Sequence, residues 1–306
     1  MGVNVKGFKT YAEQVEILAG RGMDMGDRDA AAETLRRVNY YRLSGYWYPF
    51  RKHATSGRVD DFYAGARFSD VMALYEFDAR LRAATFAALA PVELAIRALL
   101  GHELGRIDPC AHLEPLKLGP TSRSGNQYSK WVRRYEKELN QSREDFVDHH
   151  RAKYGGVLPV WVATELMDWG SLTYLYSFSP RGVQDVVAEA CGLRAPQLTS
   201  WLKVLNVVRN TCAHHGRLFN RVHTIVPKLP KVGLHPDLDA ATRERNRTFA
   251  RLTLVQFLSD RLGVGSSTLL PSVVESFPVV AIVPIDHMGV PAGWQENPLW
   301  ATSSES

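Results

Sequence analysis

The stretch WLKVLNVVRNTCAHHGRLFNR, residues 201–221, holds the clearest structural pattern in the chain. Its apolar residues recur at helical spacing, which predicts an amphipathic helix over the whole stretch. At about 100° per residue, Asn210 lies near the centre of the polar side, and Arg209 and His214 lie on its two flanks. His215 should point toward the apolar side. The two neighbouring histidines are therefore expected to differ, His214 being available for chemistry and His215 for packing.

The apolar side of this predicted helix should be buried against the rest of the protein. Leu202 is the one apolar residue that falls on the polar side, and Arg217 falls close to Asn210 if the helix stays regular that far. The buried stripe comprises Trp201, Val204, Leu205, Val207, Val208 and Cys212.

Length and composition are those of a soluble globular protein. The chain is 45% hydrophobic and 23% charged, and its 306 residues are enough for one large or two modest domains.

Three cysteines without metal or disulfide spacing indicate a reducing, cytoplasmic compartment. The first fourteen residues lack the apolar segment of a signal peptide, and Lys6 replaces the Ser or Thr of a myristoylation signal. No run appears long and apolar enough to span a bilayer, so no membrane partner is expected.

Positive charge is concentrated in the second half of the chain. The formal net charge is +5, and residues 197–252 contain ten lysines and arginines against three acids. This excess suits a polyanionic partner such as nucleic acid. A solvated basic face explains the same excess equally well.

The pattern of turns divides the chain into three segments. Residues 1–68 form a small N-terminal unit with two short helices, an aromatic stretch and a turn-rich ribbon, an order that resembles a winged helix. Residues 69–265 form a helical body, and residues 266–306 form a tail laid over it. Within the body, Pro91 should kink a long helix over residues 69–105. Further helices are predicted at 128–140, 143–154, 160–168, 172–178, 180–191 and 239–262.

The aromatic stretch NYYRLSGYWYPFR, residues 39–51, allows two interpretations. Tyr46 and Trp47, interleaved with Arg42 and Arg51, could stack on the bases of a nucleic acid. Alternatively, these aromatics pack the junction between the N-terminal unit and the body.

Arg209, Asn210 and His214 together suit phosphoryl chemistry. Arginine presents a permanently charged fork for phosphate, and histidine, with a reference pKa near 6.5, exchanges protons at cytosolic pH. RNA supplies its own nucleophile in the 2′-hydroxyl, so its cleavage needs a base, an acid and a cation. The alternative is ordinary hydrogen bonding at a helix end. No cofactor or metal is expected: nucleotide-binding and nucleophile-elbow motifs are absent from the sequence, and Cys212 and His214 face different sides.

Five blocks of sequence resemble the Abi-like (AbiD/AbiF) abortive-infection proteins, which belong to the HEPN superfamily. They follow the order expected of that family and extend over most of the chain. The blocks are NYYRLSGYWYPFR at 39–51, FSDVMALYEFDARLR at 68–82, YGGVLPVWVATELMDWGSLTYLY at 154–176, LTSWLKVLNVVRNTCAHHGRLFNR at 198–221 and MGVPAGWQENPLW at 288–300.

The resemblance implies a mainly α-helical HEPN-type bundle and phage defence by metal-independent RNA cleavage. Arg209 and His214 would be the catalytic pair, and Asn210 would orient the motif. Glu93 and Arg97, which can pair one turn apart on the first long helix, would lie near that site. The chain departs from the family pattern at Pro91, near this pair, and at Gly216, which favours an early end of the motif helix.

The resemblance also implies a partner. One R-x4-H motif offers one histidine, whereas acid–base cleavage has two proton-transfer steps, and HEPN nucleases pair two motifs across a two-fold axis. A C2 homodimer is therefore expected, with RNA as substrate and a small RNA or a protein as inhibitor. Two alternatives stay open. One is a non-catalytic RNA- or DNA-binding module using residues 39–51 and the basic region with Arg217 and Arg221. The other is a purely structural motif.

Overall fold

The computed structural model describes residues 5–55 and 57–302. Residues 1–4, which belong to the stretch examined for a signal peptide, and residues 303–306 of the predicted tail lie outside the described residues. Within it the chain is mainly helical, with thirteen α-helices and one two-stranded sheet, so the predicted fold class is confirmed. The chain forms two compact units, Met1–Arg82 with Val273–His287 and Ala83–Ser272 with Met288–Ser306. We call these the N-terminal unit and the main unit.

The N-terminal unit opens with three short helices and a hairpin. Thr10 caps the first helix, and its backbone N–H donates to Glu13 at 2.7 Å as one half of a capping box. This order of elements matches the sequence prediction, and the likeness to a winged helix stays a prediction. The elements are α1 (Tyr11–Gly20), α2 (Arg28–Arg37), α3 (Tyr40–Trp47), β1 (Arg51–Ala54) and β2 (Gly57–Phe62), with the strands antiparallel.

The aromatic stretch contributes to the core of the N-terminal unit. Tyr46 and Trp47 are 2% and 0% exposed, and the Tyr46 hydroxyl donates to Asp78 Oδ2 at 2.5 Å. Burial, followed by the nearby Asp78 carboxylate, raises the pKa of Tyr46 above its usual range. Arg82 pairs with the same carboxylate. The prediction that Tyr46 and Trp47 stack on RNA bases is therefore wrong, because buried rings cannot stack on a base.

Helix α4 (Phe68–Gly105) continues through Pro91 and begins one residue before the predicted Ser69. The boundary of the two units lies within it, between Arg82 and Ala83, whereas the sequence analysis set the boundary at residue 68. The first turns of α4 belong to the N-terminal unit, where Asp78 and Arg82 contact Tyr46. By length and composition α4 could cross a membrane, contrary to the sequence expectation, although core helices of soluble proteins satisfy the same criterion.

The main unit contains the rest of α4 and most of the remaining helices. The predicted helix over 239–262 is two helices, because the chain turns between them: Arg247 N–H donates to Glu244 O at 2.9 Å, and Asn246 O accepts from His223 N–H at 2.8 Å. A helix inside the predicted tail was not foreseen. The helices after α4 are α5 (Gln127–Gln141), α6 (Asp145–Tyr154), α7 (Val160–Ala163), α8 (Trp169–Phe178), α9 (Arg181–Ala190), α10 (Ala195–Ala213), α11 (Pro236–Ala241), α12 (Thr248–Leu262) and α13 (Leu269–Glu275).

Helix α10 lies at the centre of the main unit and is packed against α8, α9 and α12. Leu202 is only 1% exposed, because α8 covers the side of the helix that the sequence assigned to solvent. Trp169 Nε1 donates to Leu202 O at 2.8 Å and fixes that contact. The end of the tail also packs inside this unit, where Trp300 stacks on Phe249 with ring centroids 4.3 Å apart.

Candidate functional site

The motif helix ends earlier than its sequence pattern predicted. Helix α10 stops at Ala213, and His214 is its C-cap residue. The N–H of His215 donates to Cys212 O at 3.1 Å, and the N–H of Gly216 donates to Thr211 O at 2.8 Å. These two bonds form a Schellman motif, which closes a helix by turning the chain back on its last carbonyls. The predicted helix over residues 201–221 is therefore wrong in its last third, and the early end that Gly216 favours is confirmed.

His215 occupies the left-handed position of this cap, with φ of 55°. Histidine is among the non-glycine residues enriched in that region. Its side chain is exposed, so the expectation that His215 packs into the apolar side was wrong. The wheel position of Arg217 beside Asn210 was wrong for the same reason, since Arg217 follows the end of the helix.

His214 presents its ring to solvent at the end of α10. Its backbone N–H donates to Asn210 O at 3.0 Å, which holds the residue in place without using the side chain. Within residues 5–55 and 57–302 the imidazole forms no hydrogen bond or ion pair. Both ring nitrogens are thus left to exchange a proton with an external molecule.

The Arg209 guanidinium is positioned by an aromatic ring instead of a carboxylate. It lies over Phe86 of α4, 5.4 Å from the ring centroid, a cation–π arrangement. Nη1 makes a long contact of 3.5 Å with Asn210 Oδ1, and Nε is buried without an acceptor among the described residues. No described carboxylate forms an ion pair with Arg209. Its positive charge is therefore available to an anionic ligand.

A polar cluster extends from the motif to the start of α8. Asn210 Nδ2 donates to Asn206 Oδ1 at 3.4 Å, and the Asn206 side chain lies close to Gly170, where an added Cβ would be 3.7 Å from Nδ2. Asp168 caps α8 by accepting from Ser171 N–H at 2.8 Å. Burial alone would raise the pKa of Asp168, but the Ser171 hydrogen bonds and the charges of Arg134 and Arg209 outweigh it and lower the pKa.

Asp168 therefore stays ionised close enough to Arg209 to influence it, and its own direct partner is Arg134 at 2.6 Å. The Asp168 carboxylate contributes negative charge near the motif, and the positive charge of Arg134 offsets part of it.

Glu93 and Arg97 form the predicted pair on α4, with Arg97 Nη2 donating to Glu93 Oε1 at 2.5 Å. Arg97 also lies 3.8 Å from a Glu165 carboxylate oxygen. The segment that contains Trp161 and Glu165 can approach α4 because residue 101 is a glycine. A Cβ added at Gly101 would lie 3.0 Å from Trp161 Cα. Neither Glu93 nor Arg97 forms a hydrogen bond or ion pair with the motif residues in the described part of the chain. Their supporting role stays a prediction.

Phe86 is the site residue that sequence reasoning missed. It is 42% exposed and is not among the residues that the sequence predicts for the site. A signal was present, because Phe86, Glu93 and Arg97 are separated by seven and four residues and so share one helical face. Only the tertiary contact with Arg209 identifies the ring as part of the site.

The remaining predicted contact residues are distributed over both units. Arg221 is exposed and its Nη1 lies 3.5 Å from Thr211 Oγ1, next to the end of α10. Arg217 is half-buried. In the N-terminal unit Arg42 is exposed, whereas Arg51 is engaged with Asp60 at 3.1 Å. Their assignment to RNA stays a prediction.

One comparison with known proteins gives a match. A family model described as Abi-like protein matches residues 33–220, which is more than half of the chain and includes the whole R-N-x-x-x-H motif. No curated protein and no solved structure matches the chain.

Proposed function

The chain belongs to the Abi-like protein family, a membership that points to abortive-infection defence, and we propose that it acts there as a metal-independent endoribonuclease of the HEPN type. The substrate is RNA, and Arg209, Asn210 and His214 form the site. The enzyme works in the cytoplasm and is restrained by a small RNA or a protein inhibitor. Two groups of the motif carry the proposal, and neither has an ion-pair partner in the described structure. They are the Arg209 guanidinium, which lies over the Phe86 ring, and the His214 imidazole, which faces solvent.

Arg209 is the electrostatic component of this mechanism. A phosphate that approaches the motif meets a guanidinium whose charge is not neutralised by an ion pair and whose Nε lacks an acceptor in the described structure. The Phe86 ring holds the guanidinium plane without competing for its N–H groups. Such a preorganised cation stabilises the charge that develops on the phosphoryl oxygens in the transition state.

His214 is the proton-transfer component. Its imidazole removes the proton of the 2′-hydroxyl, whose oxygen then forms a bond to the adjacent phosphorus. The bond from phosphorus to the 5′-oxygen breaks, and that oxygen receives a proton from a second acid. The products are a 2′,3′-cyclic phosphate and a 5′-hydroxyl end. General acid–base catalysis of this kind contributes roughly 10²- to 10⁴-fold in rate.

The second acid comes from a second copy of the chain. Arg209 and His214 belong to one motif but do not contact each other in the described structure, and the motif carries one exposed imidazole on its polar face. A C2 dimer that juxtaposes two motifs supplies a base from one copy and an acid from the other. The proposed active form is therefore a homodimer with both motifs at one cleft.

Subunit mixing tests this proposal. Arg209→Ala and His214→Ala proteins should each be inactive alone, because every site in each homodimer lacks the same group. After wild-type and His214→Ala subunits are mixed and allowed to exchange, each heterodimer contains one His214 at its shared cleft, which cannot serve as base and acid together. RNA cleavage should therefore fall to that of the remaining wild-type homodimers. Full cleavage by a preparation that stays monomeric in sedimentation would contradict the dimeric site.

A second candidate function is RNA binding without cleavage, and the exposed Arg221 beside the motif favours it. That function predicts salt-sensitive RNA retention that depends on the arginines and is indifferent to His214. Filter binding of the His214→Ala protein, together with its cleavage assay, separates the two. Retention with loss of cleavage supports the enzyme, and retention by a wild-type protein that makes no product supports the binding module.

A further inference from the structure

A basic pocket lies on a different side of α10 from Asn210. It is an open pocket of about 90 Å³ in the main unit, between α10, the segment that follows the motif, and α12. Val204, Val207 and Ile225 form its apolar part, and Arg221, His223 and Arg251 form its polar part. The described lining contains no carboxylate. Its charge is therefore positive and uncompensated by the chain itself.

Arg251 is the unusual member of this pocket. It is 0% exposed, and its only hydrogen bond in the described structure runs from Nη2 to Ile225 O at 2.5 Å. Nε and Nη1 are buried without an acceptor, and no described acid forms an ion pair with the side chain. Burial lowers the pKa of Arg251 to about 10. A buried guanidinium in this state is destabilising unless an anion compensates its charge.

Two neighbours complete the basic character of the pocket. Arg221 is exposed, so it can reach a ligand from the solvent side. The Thr248 hydroxyl donates to Leu218 O at 2.7 Å and therefore accepts from His223 Nε2, which lies 3.4 Å away. Burial, followed by the charges of Arg251 and Arg221, lowers the pKa of His223 to about 4, so the ring is neutral at cytosolic pH. The two arginines thus supply the positive charge of the pocket, and the neutral His223 ring forms part of its lining.

The shape and chemistry of this pocket define its ligand. Buried N–H donors with no described acceptor favour a ligand with acceptor oxygens, and the positive charge of Arg251 favours an anion. The volume admits a group the size of a few water molecules, which suits one oxyanion but not a nucleobase. The apolar residues lower the local dielectric and strengthen the attraction between arginine and anion.

We propose that this pocket binds a single phosphate group, presented either as free inorganic phosphate or as the phosphate of a nucleotide whose base stays outside. The site is separate from Arg209 and His214 and does not depend on RNA cleavage. Its occupation neutralises Arg251 and ties the segment after the motif to α12, so phosphate should stabilise the folded chain.

Isothermal titration of the full chain with inorganic phosphate, after dialysis into phosphate-free buffer, tests this site. The wild-type protein should bind one phosphate saturably. Arg251→Met, which keeps an unbranched side chain of similar length without the charge, should weaken binding at least tenfold. Arg245→Gln removes an exposed arginine outside the pocket and should leave the affinity unchanged. Parallel titrations with adenosine monophosphate distinguish the two sources: tighter binding than inorganic phosphate identifies a nucleotide, and equal or weaker binding identifies free phosphate. Adenosine, which has no phosphate, should not bind in either case.

The outcome that overturns the proposal is either no saturable phosphate binding by the wild-type chain or equal binding by Arg251→Met. Circular dichroism establishes whether Arg251→Met is folded. If it is not, Arg221→Gln takes its place, because Arg221 is exposed and its replacement does not disturb the core. That variant should bind phosphate several-fold more weakly than Arg245→Gln, and equal affinities would overturn the proposal.

Discussion

Replacing Phe86 tests whether the ring under Arg209 is part of the proposed active site. The guanidinium lies 5.4 Å from the Phe86 centroid, and its one polar contact among the described residues is the 3.5 Å approach to Asn210. Phe86→Leu removes the π face and keeps an apolar side chain on α4. Phe86→Tyr keeps the π face. Arg209 should lose its fixed orientation in the first variant and retain it in the second.

The size of the effect follows from the environment of the pair. A cation–π contact contributes about 0.5–1 kcal/mol when exposed and about 2 kcal/mol when desolvated. Phe86 is 42% exposed but Arg209 Nε is buried, so the pair lies between these limits. About 1 kcal/mol of lost transition-state stabilisation corresponds to roughly a fivefold lower kcat/KM. Because Phe86 is half-exposed, the free energy of unfolding should change by only about 0.5 kcal/mol or less.

The assay is initial-rate cleavage of a fluorescent RNA by wild type, Phe86→Leu and Phe86→Tyr, with urea unfolding of each protein as the control. We expect Phe86→Leu to lose roughly fivefold in kcat/KM and Phe86→Tyr to retain the wild-type value. Wild-type kinetics in Phe86→Leu would refute the positioning role. Equal losses in both variants would also refute it, because only one of them lacks the π face.

Two further predictions concern the stability of the main unit. Gly119→Ala should lower the free energy of unfolding by about 1–3 kcal/mol, since the new Cβ would lie 2.7 Å from Ser179 O. In the control Gly182→Ala, the new Cβ meets nothing within 4 Å, so stability should not fall. Equal urea midpoints for the two variants would contradict this prediction. Burial lowers the pKa of His112 to about 4, so between pH 6.5 and 4 the unfolded chain binds a proton that the folded chain does not. Stability should therefore fall by on the order of 3 kcal/mol as pH drops through this window, and His112→Phe should show a shallower decline in urea titrations at pH 7 and 5.

Much of the secondary structure was predictable because its signals are local. The two short helices at the N-terminus and the ribbon after the aromatic stretch each depend on a few neighbouring residues. The end of α10 depends on whether the residues after Ala213 continue the helical hydrogen bonds or form a C-terminal cap. The sequence pattern 201–221 fits both, and the Schellman bonds of His215 and Gly216 decide for closure.

The other differences come from tertiary contacts that no local pattern encodes. Leu202 is buried because α8 covers a second side of α10 through the Trp169 hydrogen bond. Phe86 belongs to the site only because α4 brings it under Arg209, 123 residues later in the chain. In the sequence, Arg251 is one of the ten lysines and arginines over residues 197–252, and only the folded chain shows that it is buried beside a pocket.

The most direct test of the proposed function is the chemical nature of the RNA ends produced in EDTA. Wild-type protein should generate 2′,3′-cyclic phosphate and 5′-hydroxyl ends. His214→Ala should reduce their formation by roughly 10²- to 10⁴-fold. Its melting temperature should not change, because His214 is exposed and makes no side-chain hydrogen bond in the described structure. Unchanged cleavage by His214→Ala, or loss of all wild-type cleavage in EDTA, would contradict the account.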